Sequence, residues 1–557
     1  MGKRWLAGLG GAGLTVAATL GLGGAPSAQA AETVVLEFGP FGRSVPVSAL
    51  EAFAQGAPPS RELDPLLRRL TPNQQEGFRA GLNARREADL VPLSQWFYDP
   101  MGEQSLAFLG KVIRTDARLN GQRALRAALI RSAAEDSSVS LMGVIRHFPT
   151  RTINLDLAQL LRNAQQTLGE AEATQVVVEA VRAKSSQEAA TQSLDLTTLP
   201  DLTQPGPHGS RQISLQITDP ARQRTYPVEL VVPQDLARVP GPIPVVVISH
   251  GLGDSPQSFL DVAAHAASHG VLVALPEHIG SNFVQQQAML NGLAQESFLP
   301  QEFLDRPLDI RFLLDELSRR NGADFGGRLA LDRVVVAGHS FGGYTALALA
   351  GATIDFERLA QRCDVSANIL ADAALLLECR ALALQSQPAV VEQLGETGVR
   401  DDRVALVMAF APVSNLFGPQ GMAAIQRPVM ILGGVLDVVA PVVPQQVSAF
   451  HWLTTPDRYL YLADNTSHGP EFTRSISQLL DFDQDLAQGI DEALGITRGV
   501  NKSLVVAFTQ VYAANRQEFR PFLQASYVEA VSADPFRLHL VRTLPPGLED
   551  FLGSDEP

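Results

Sequence analysis

Cysteine is nearly missing from this chain. Its 557 residues hold two, Cys363 and Cys379, in one short segment. A scaffold stapled by many disulfides is thereby excluded; a chain this long buries a large core and implies two domains. No histidine lies between the cysteines, which argues against a zinc site there. In an oxidising compartment the pair is expected to form a disulfide, with two buried thiols as the alternative. Positive charge is also in deficit: 44 Lys and Arg stand against 59 Asp and Glu, a formal net charge of −15. That argues against nucleic acid or an anionic membrane surface as a general partner. It leaves a neutral ester or amide substrate open. Long apolar runs are confined to the first 30 residues, so no later segment is expected to span a bilayer. There are no internal repeats or low-complexity tracts. What remains, 45% hydrophobic and 18% charged residues, is the composition of a soluble globular protein.

The first residues combine Lys3 and Arg4, an apolar run over 5–24, and Ala28-Gln29-Ala30 as a small-x-small cleavage site. This pattern predicts a secretory signal over 1–30 and an exported protein, an uncleaved anchor being the alternative. Next come two short apolar runs around Gly39-Pro40-Phe41-Gly42, which predict a hairpin. Leu, Ile and Ala then recur at three and four residues through 49–181, so 31–183 is expected to be a mostly helical domain. Its lone His147 is expected at the surface or in the core. The stretch 184–210, rich in Ser, Thr, Gln and Pro, reads as a linker. From 211 to 557 short strands alternate with helix-sized intervals. Eight strands are expected, at 212–217, 226–232, 244–249, 271–275, 333–337, 404–410, 429–432 and 458–462. The first two pair antiparallel and the rest run parallel, which predicts an α/β architecture with helices on the sheet. Three intervals exceed a crossover: 277–303, 354–403 and 469–557. They are expected to cover the substrate or add a C-terminal helical layer.

The stretch 331–351, LDRVVVAGHSFGGYTALALAG, passes from a β-branched run through a turn into a helix. Ser340 stands at the apex, with Gly338 and Gly342 two places either side. G-x-S-x-G alone is a weak signal; in this strand–turn–helix context it predicts a nucleophile elbow. A serine hydroxyl needs a base, and the base an orienting acid, in the chain order serine, acid, histidine. His451 lies in an amphipathic helix and His539 far toward the C-terminus. His468 follows the last predicted strand in a turn-rich loop, where the base is expected. No Asp or Glu occurs between Asp402 and Asp437. Asp437, just past strand 429–432, is therefore the expected acid; Asp464 competes but sits four residues from His468. The oxyanion donors are expected to be the backbone N–H groups of Phe341 and of Leu252, in Ser249-His250-Gly251-Leu252-Gly253. His250 and His339 are expected to buttress these turns.

At SHGLG, GHSFGG, the Asp437 turn and the His468 loop the chain resembles the α/β-hydrolase superfamily. The likeness covers roughly 211–530 and is nearest to dienelactone-hydrolase-like carboxylesterases and plasma-type platelet-activating-factor acetylhydrolases. It implies a serine esterase with Ser340 as nucleophile and His468 as base. The acetylhydrolases take their acid right after the next strand, where this chain has Ala411-Pro412-Val413. Asp437 matches the dienelactone-type position, in enzymes whose nucleophile is a cysteine. The N-terminal module is similar to an uncharacterised domain fused to secreted bacterial hydrolases. The expected activity is hydrolysis of a small-molecule or lipid ester, needing no metal or cofactor. A serine peptidase and a non-catalytic binding protein on the same scaffold are the competing classes.

Overall fold

A computed structural model describes residues 30–364, 369–469 and 484–552. The predicted N-terminal signal lies outside the described residues, as does part of the 469–557 interval. Strands are numbered β1 to β15 along the chain. The first domain opens with the expected hairpin, β1 (Thr33–Phe38) and β2 (Phe41–Pro46). Four short strands then interrupt the predicted helical stretch: β3 (Arg85–Glu87), β4 (Ile113–Arg114), β5 (Ser138–Ser140) and β6 (Thr152–Asp156). They build a four-stranded sheet, β2-β1-β6-β4, and a β3-β5 ribbon. Runs of two to five residues are too short to show a period of two between strongly helical neighbours.

The second domain is built on a sheet of nine strands, one more than expected, in the order β15-β14-β13-β12-β11-β9-β10-β8-β7. Its members are β7 (Ser210–Asp219), β8 (Arg224–Pro233), β9 (Ile243–Ser249), β10 (Leu272–Pro276), β11 (Leu329–His339), β12 (Val404–Phe410), β13 (Val429–Gly434), β14 (Arg458–Ala463) and β15 (Leu538–Val541). β7 and β8 pair antiparallel, and β9 to β14 are parallel neighbours. The additional strand, β15, returns antiparallel on β14 and covers that edge. It is four residues long and carries His539, a length at which sequence alternation carries little signal.

Both faces of the sheet are buried, which is why the central strands are apolar without a break. Val245, Val247, Val334, Val336 and Val407 point to one core, with Leu313 and Leu317 of the helix Glu302–Phe325. Val246, Ile248, Val335, Ala337 and Met408 point to the other, with Ala266 of the helix Leu260–Ser268 and Leu504 of the helix Gln484–Tyr512.

The predicted linker is not a tether. Its first residues, 184–191, finish the helix Leu157–Thr191. Val177, Val178 and Val181 of that helix are buried in the hydrolase-side core, and the Ser185 Oγ accepts from Leu540 N at 3.0 Å. Further on, Leu202 is buried on the opposite face, and Gly206 N donates to Ser268 Oγ at 2.7 Å. Polar composition signalled an irregular chain there, but not that both its ends are packed.

Candidate active site

Parallel strands put their C-terminal ends on one edge, and the candidate residues follow four of them. Leu252 comes after β9, Ser340 and Phe341 after β11, Asp437 after β13, and His468 after β14. Ser340 sits at φ 56 and ψ −116, a strained conformation at the start of the helix Phe341–Ala350. Backbone closes in around it. A Cβ on Gly338 would lie 2.1 Å from Gly342 O, and one on Gly342 would lie 2.0 Å from Ser249 O. Both positions therefore require glycine. Ser340 N donates to Phe410 O at 2.9 Å, tying the turn to the neighbouring strand end.

Asp437 and His468 meet. The carboxylate Oδ2 lies 2.8 Å from His468 Nδ1, while Oδ1 accepts from the N–H groups of Val439 (2.9 Å) and Ala440 (2.8 Å). The loops that carry them are joined by Val435 N to Ala463 O (3.0 Å) and Leu436 N to Thr466 O (2.8 Å). Asp464, the competitor, is engaged elsewhere. Its Oδ1 accepts from Arg182 Nε (3.0 Å) and Nη2 (2.8 Å), and its Oδ2 lies 3.0 Å from His539 Nε2. Burial raises its pKa, but the bonds from His539 and Arg182 outweigh that and leave it lowered. Asp464 thus anchors the start of the His468 loop to the helix Leu157–Thr191 and to β15.

His339 packs its ring 4.7 Å from that of His468, and its Nε2 lies 2.6 Å from His468 O. Burial, and then His468, hold its pKa down to about 4, so it is neutral near pH 7. Beside this pair opens a cleft of about 360 Å³, bordered by Phe259, Phe410, Leu432 and Thr497. Ser340 lies outside its lining, one residue on from His339.

The Leu252 and Phe341 N–H groups have no backbone or side-chain acceptor among the described residues. The loop carrying Leu252 is held by an arginine that sequence reasoning did not identify. Arg306 is completely buried in the helix Glu302–Phe325. It donates from Nη1 to His250 O (2.6 Å), from Nη2 to Gly251 O (3.2 Å) and from Nε to Ser281 Oγ (2.8 Å). Its guanidinium stands 4.3 Å from the Phe341 ring centre, so one side chain touches both loops. Burial lowers its pKa to about 10 against the pull of Glu302, leaving it charged at neutral pH. Behind it, buried Glu302 and Asp309 receive Arg224 at 2.8 and 2.9 Å. Burial raises the pKa of both carboxyls, with Arg224 opposing. The only sequence signal was Glu302, Arg306 and Asp309 recurring at four and three on an otherwise apolar helix face.

His250 buttresses the loop as expected: Nε2 accepts from His278 N at 3.0 Å, which makes Nδ1 the donor to Gly251 O at 2.7 Å. Burial pushes the pKa of His250 and of His278 well below the ordinary value. His147 pairs with Glu135 at 2.5 Å, and His451 is exposed at the end of the helix Ser448–Trp452. Cys363 and Cys379 are joined in a disulfide.

Residues 245–510 match the family described as the alpha/beta hydrolase family, and the chain has the α/β-hydrolase fold. The match supports hydrolase chemistry in general. Residues 30–156 match a family described as an alpha/beta hydrolase of unknown function, although this segment contributes no strand to the nine-stranded sheet. No curated protein matches the chain.

Proposed function

We propose that this protein is an exported serine hydrolase of carboxylic esters, acting through Ser340, His468 and Asp437. The observation that carries the reading is the 2.8 Å bond between Asp437 and His468, on the strand edge where Ser340 is held at positive φ. With Asp437 on Nδ1, the His468 imidazole is fixed in the tautomer whose Nε2 can take a proton. Ser340 Oγ attacks the acyl carbon and its proton passes to His468. The imidazolium that forms is stabilised by Asp437. The carbonyl oxygen becomes an oxyanion, taken up by the N–H groups of Phe341 and Leu252. Collapse expels the alcohol, protonated by His468, and leaves an ester on Ser340. Water then attacks this acyl-enzyme by the same route, releasing the acid.

An acyl ester suits the surroundings. The 277–303 insertion exposes Phe283 (52%) and Val284 (65%), apolar side chains at its end beside the Leu252 loop. Phe283 N donates to Asp254 O at 2.9 Å, so the insertion is fastened to that loop. Export rests on the charged, apolar and small-residue order of the first 30 residues.

Labelling with a fluorophosphonate, followed by mass mapping, tests the nucleophile. The label is expected on Ser340 and should vanish in Ser340→Ala together with hydrolysis of short acyl esters. A label on another residue, or hydrolysis undiminished in Ser340→Ala, overturns the reading.

A further inference from the structure

The first domain contains a cavity that the hydrolase chemistry does not use. It lies between the β2-β1-β6-β4 sheet and the surrounding helices, is open to solvent, and has a volume of about 380 Å³. Val34, Leu36 and Val45 line it from the sheet, and Leu66, Phe78 and Val144 from the helical side. Every lining side chain is apolar. Protein cores hold few voids larger than a water molecule, and an empty space costs stability in proportion to its volume. A cavity without polar partners does not hold ordered water, but it does take up hydrocarbon.

Volume and lining together specify a hydrocarbon. A methylene takes up about as much room as a water's share of the liquid, about 30 Å³. The cavity therefore accommodates an unbranched chain of roughly a dozen carbons. It offers no donor or acceptor for a ring nitrogen, a sugar or a peptide, which ligand sites for those groups supply. The charged end of an amphiphile must then stay at the mouth.

One cation stands on the cavity side of the sheet. Leu36 lies directly across from Arg43 in the β1–β2 register, two positions along from the cavity-lining pair Val34 and Val45. Residues directly opposite share a face, so Arg43 stands on the cavity side of the sheet. It is exposed and makes no ion pair among the described residues.

We propose that the first domain binds a medium- to long-chain carboxylate, with its hydrocarbon tail in this cavity and its carboxylate at Arg43. The site is distinct from the Ser340 edge and does not depend on the hydrolase reading. In that reading the same ligand class is the acid product of the reaction.

Displacement of a fluorescent fatty acid from the full-length chain tests the site, using saturated carboxylates of eight to eighteen carbons. The experiment is run on the parent and on Ser340→Ala, so that turnover does not enter. Competition is expected to strengthen with length and to level off near twelve to fourteen carbons. Val144→Phe, which fills the cavity, should weaken binding at least tenfold. Arg43→Glu, at an exposed position, should weaken the carboxylate severalfold while leaving the uncharged alcohol of equal length unaffected. Absence of binding at every length overturns the proposal. So does binding that both variants leave unchanged, which puts the ligand elsewhere. A concentration-dependent dimer that Val144→Phe breaks, without chain binding, assigns the cavity to a second copy and also overturns it.

Discussion

A serine at φ 56 costs of order 1–3 kcal/mol relative to a relaxed backbone and persists only where its surroundings over-determine it. Here the close approach of Gly338 and Gly342 and the bond from Ser340 N to Phe410 O do so. Two carboxylates within reach of the His468 loop differ in what holds them. Asp437 is fully buried and bonded to the imidazole; Asp464 is spent on Arg182 and His539. Asp437→Asn is therefore expected to lower kcat by about 10³–10⁴-fold, and Asp464→Asn by far less. Steady-state kinetics on a short acyl ester decides, and a larger loss in Asp464→Asn would reverse the assignment. Proton linkage at His339 has a definite sign. Its pKa falls from an ordinary 6.5 to about 4 in the folded chain, through burial and the neighbouring His468. The unfolded chain then binds the proton first, so stability present above pH 6.5 is lost as pH falls toward 4. His339→Gln, which can still donate to His468 O, should show a smaller drop in Tm between neutral and acid pH. Equal drops in both proteins would refute this.

Among the elements, the helix Glu302–Phe325 does more than cover the sheet. A planar guanidinium on it reaches two carbonyls of the Leu252 loop and the face of Phe341. Arg306 is thus a positioning residue for the proposed oxyanion donors, and lysine cannot replace its fork. Loss of one such donor costs about 10²–10³ in kcat. Arg306→Lys, which loosens the loop without deleting a donor, should lower kcat by about tenfold and move KM less. A purely structural role predicts instead a lower Tm with the kinetic constants of the folded fraction intact. Measuring both quantities separates the two.

At the scale of the whole molecule, the two domains share a core. The helix Leu157–Thr191 belongs to the first domain by sequence, yet Val177, Val178 and Val181 are buried against the second. Arg182, one residue further, grips Asp464 at the base of the His468 loop. Val178→Asp puts an unpaired charge into that core and should destabilise the protein by several kcal/mol. Leu160→Asp, on the same helix but 48% exposed, should cost little. Thermal unfolding of the two variants tests this. Comparable Tm values would mean that the helix is not part of the hydrolase core.

The sequence by itself carried the α/β architecture, all but one strand of the large sheet, and the local chemistry of the Ser340 turn. Those depend on neighbours in the chain: β-branched runs, helix-length intervals, and glycines two places either side of a serine. Elimination along the chain also singled out Asp437 and His468, which the fold brings to 2.8 Å. Tertiary structure alone decided the rest. The four-residue β15 forms because β14 offers it an edge, not because of its own pattern. The residues after 183 continue a helix and then pack, because both faces of the sheet need covering. Arg306 could not be singled out because its partners in the Leu252 loop are backbone carbonyls more than fifty positions away, and a carbonyl leaves no mark on the residue type that carries it.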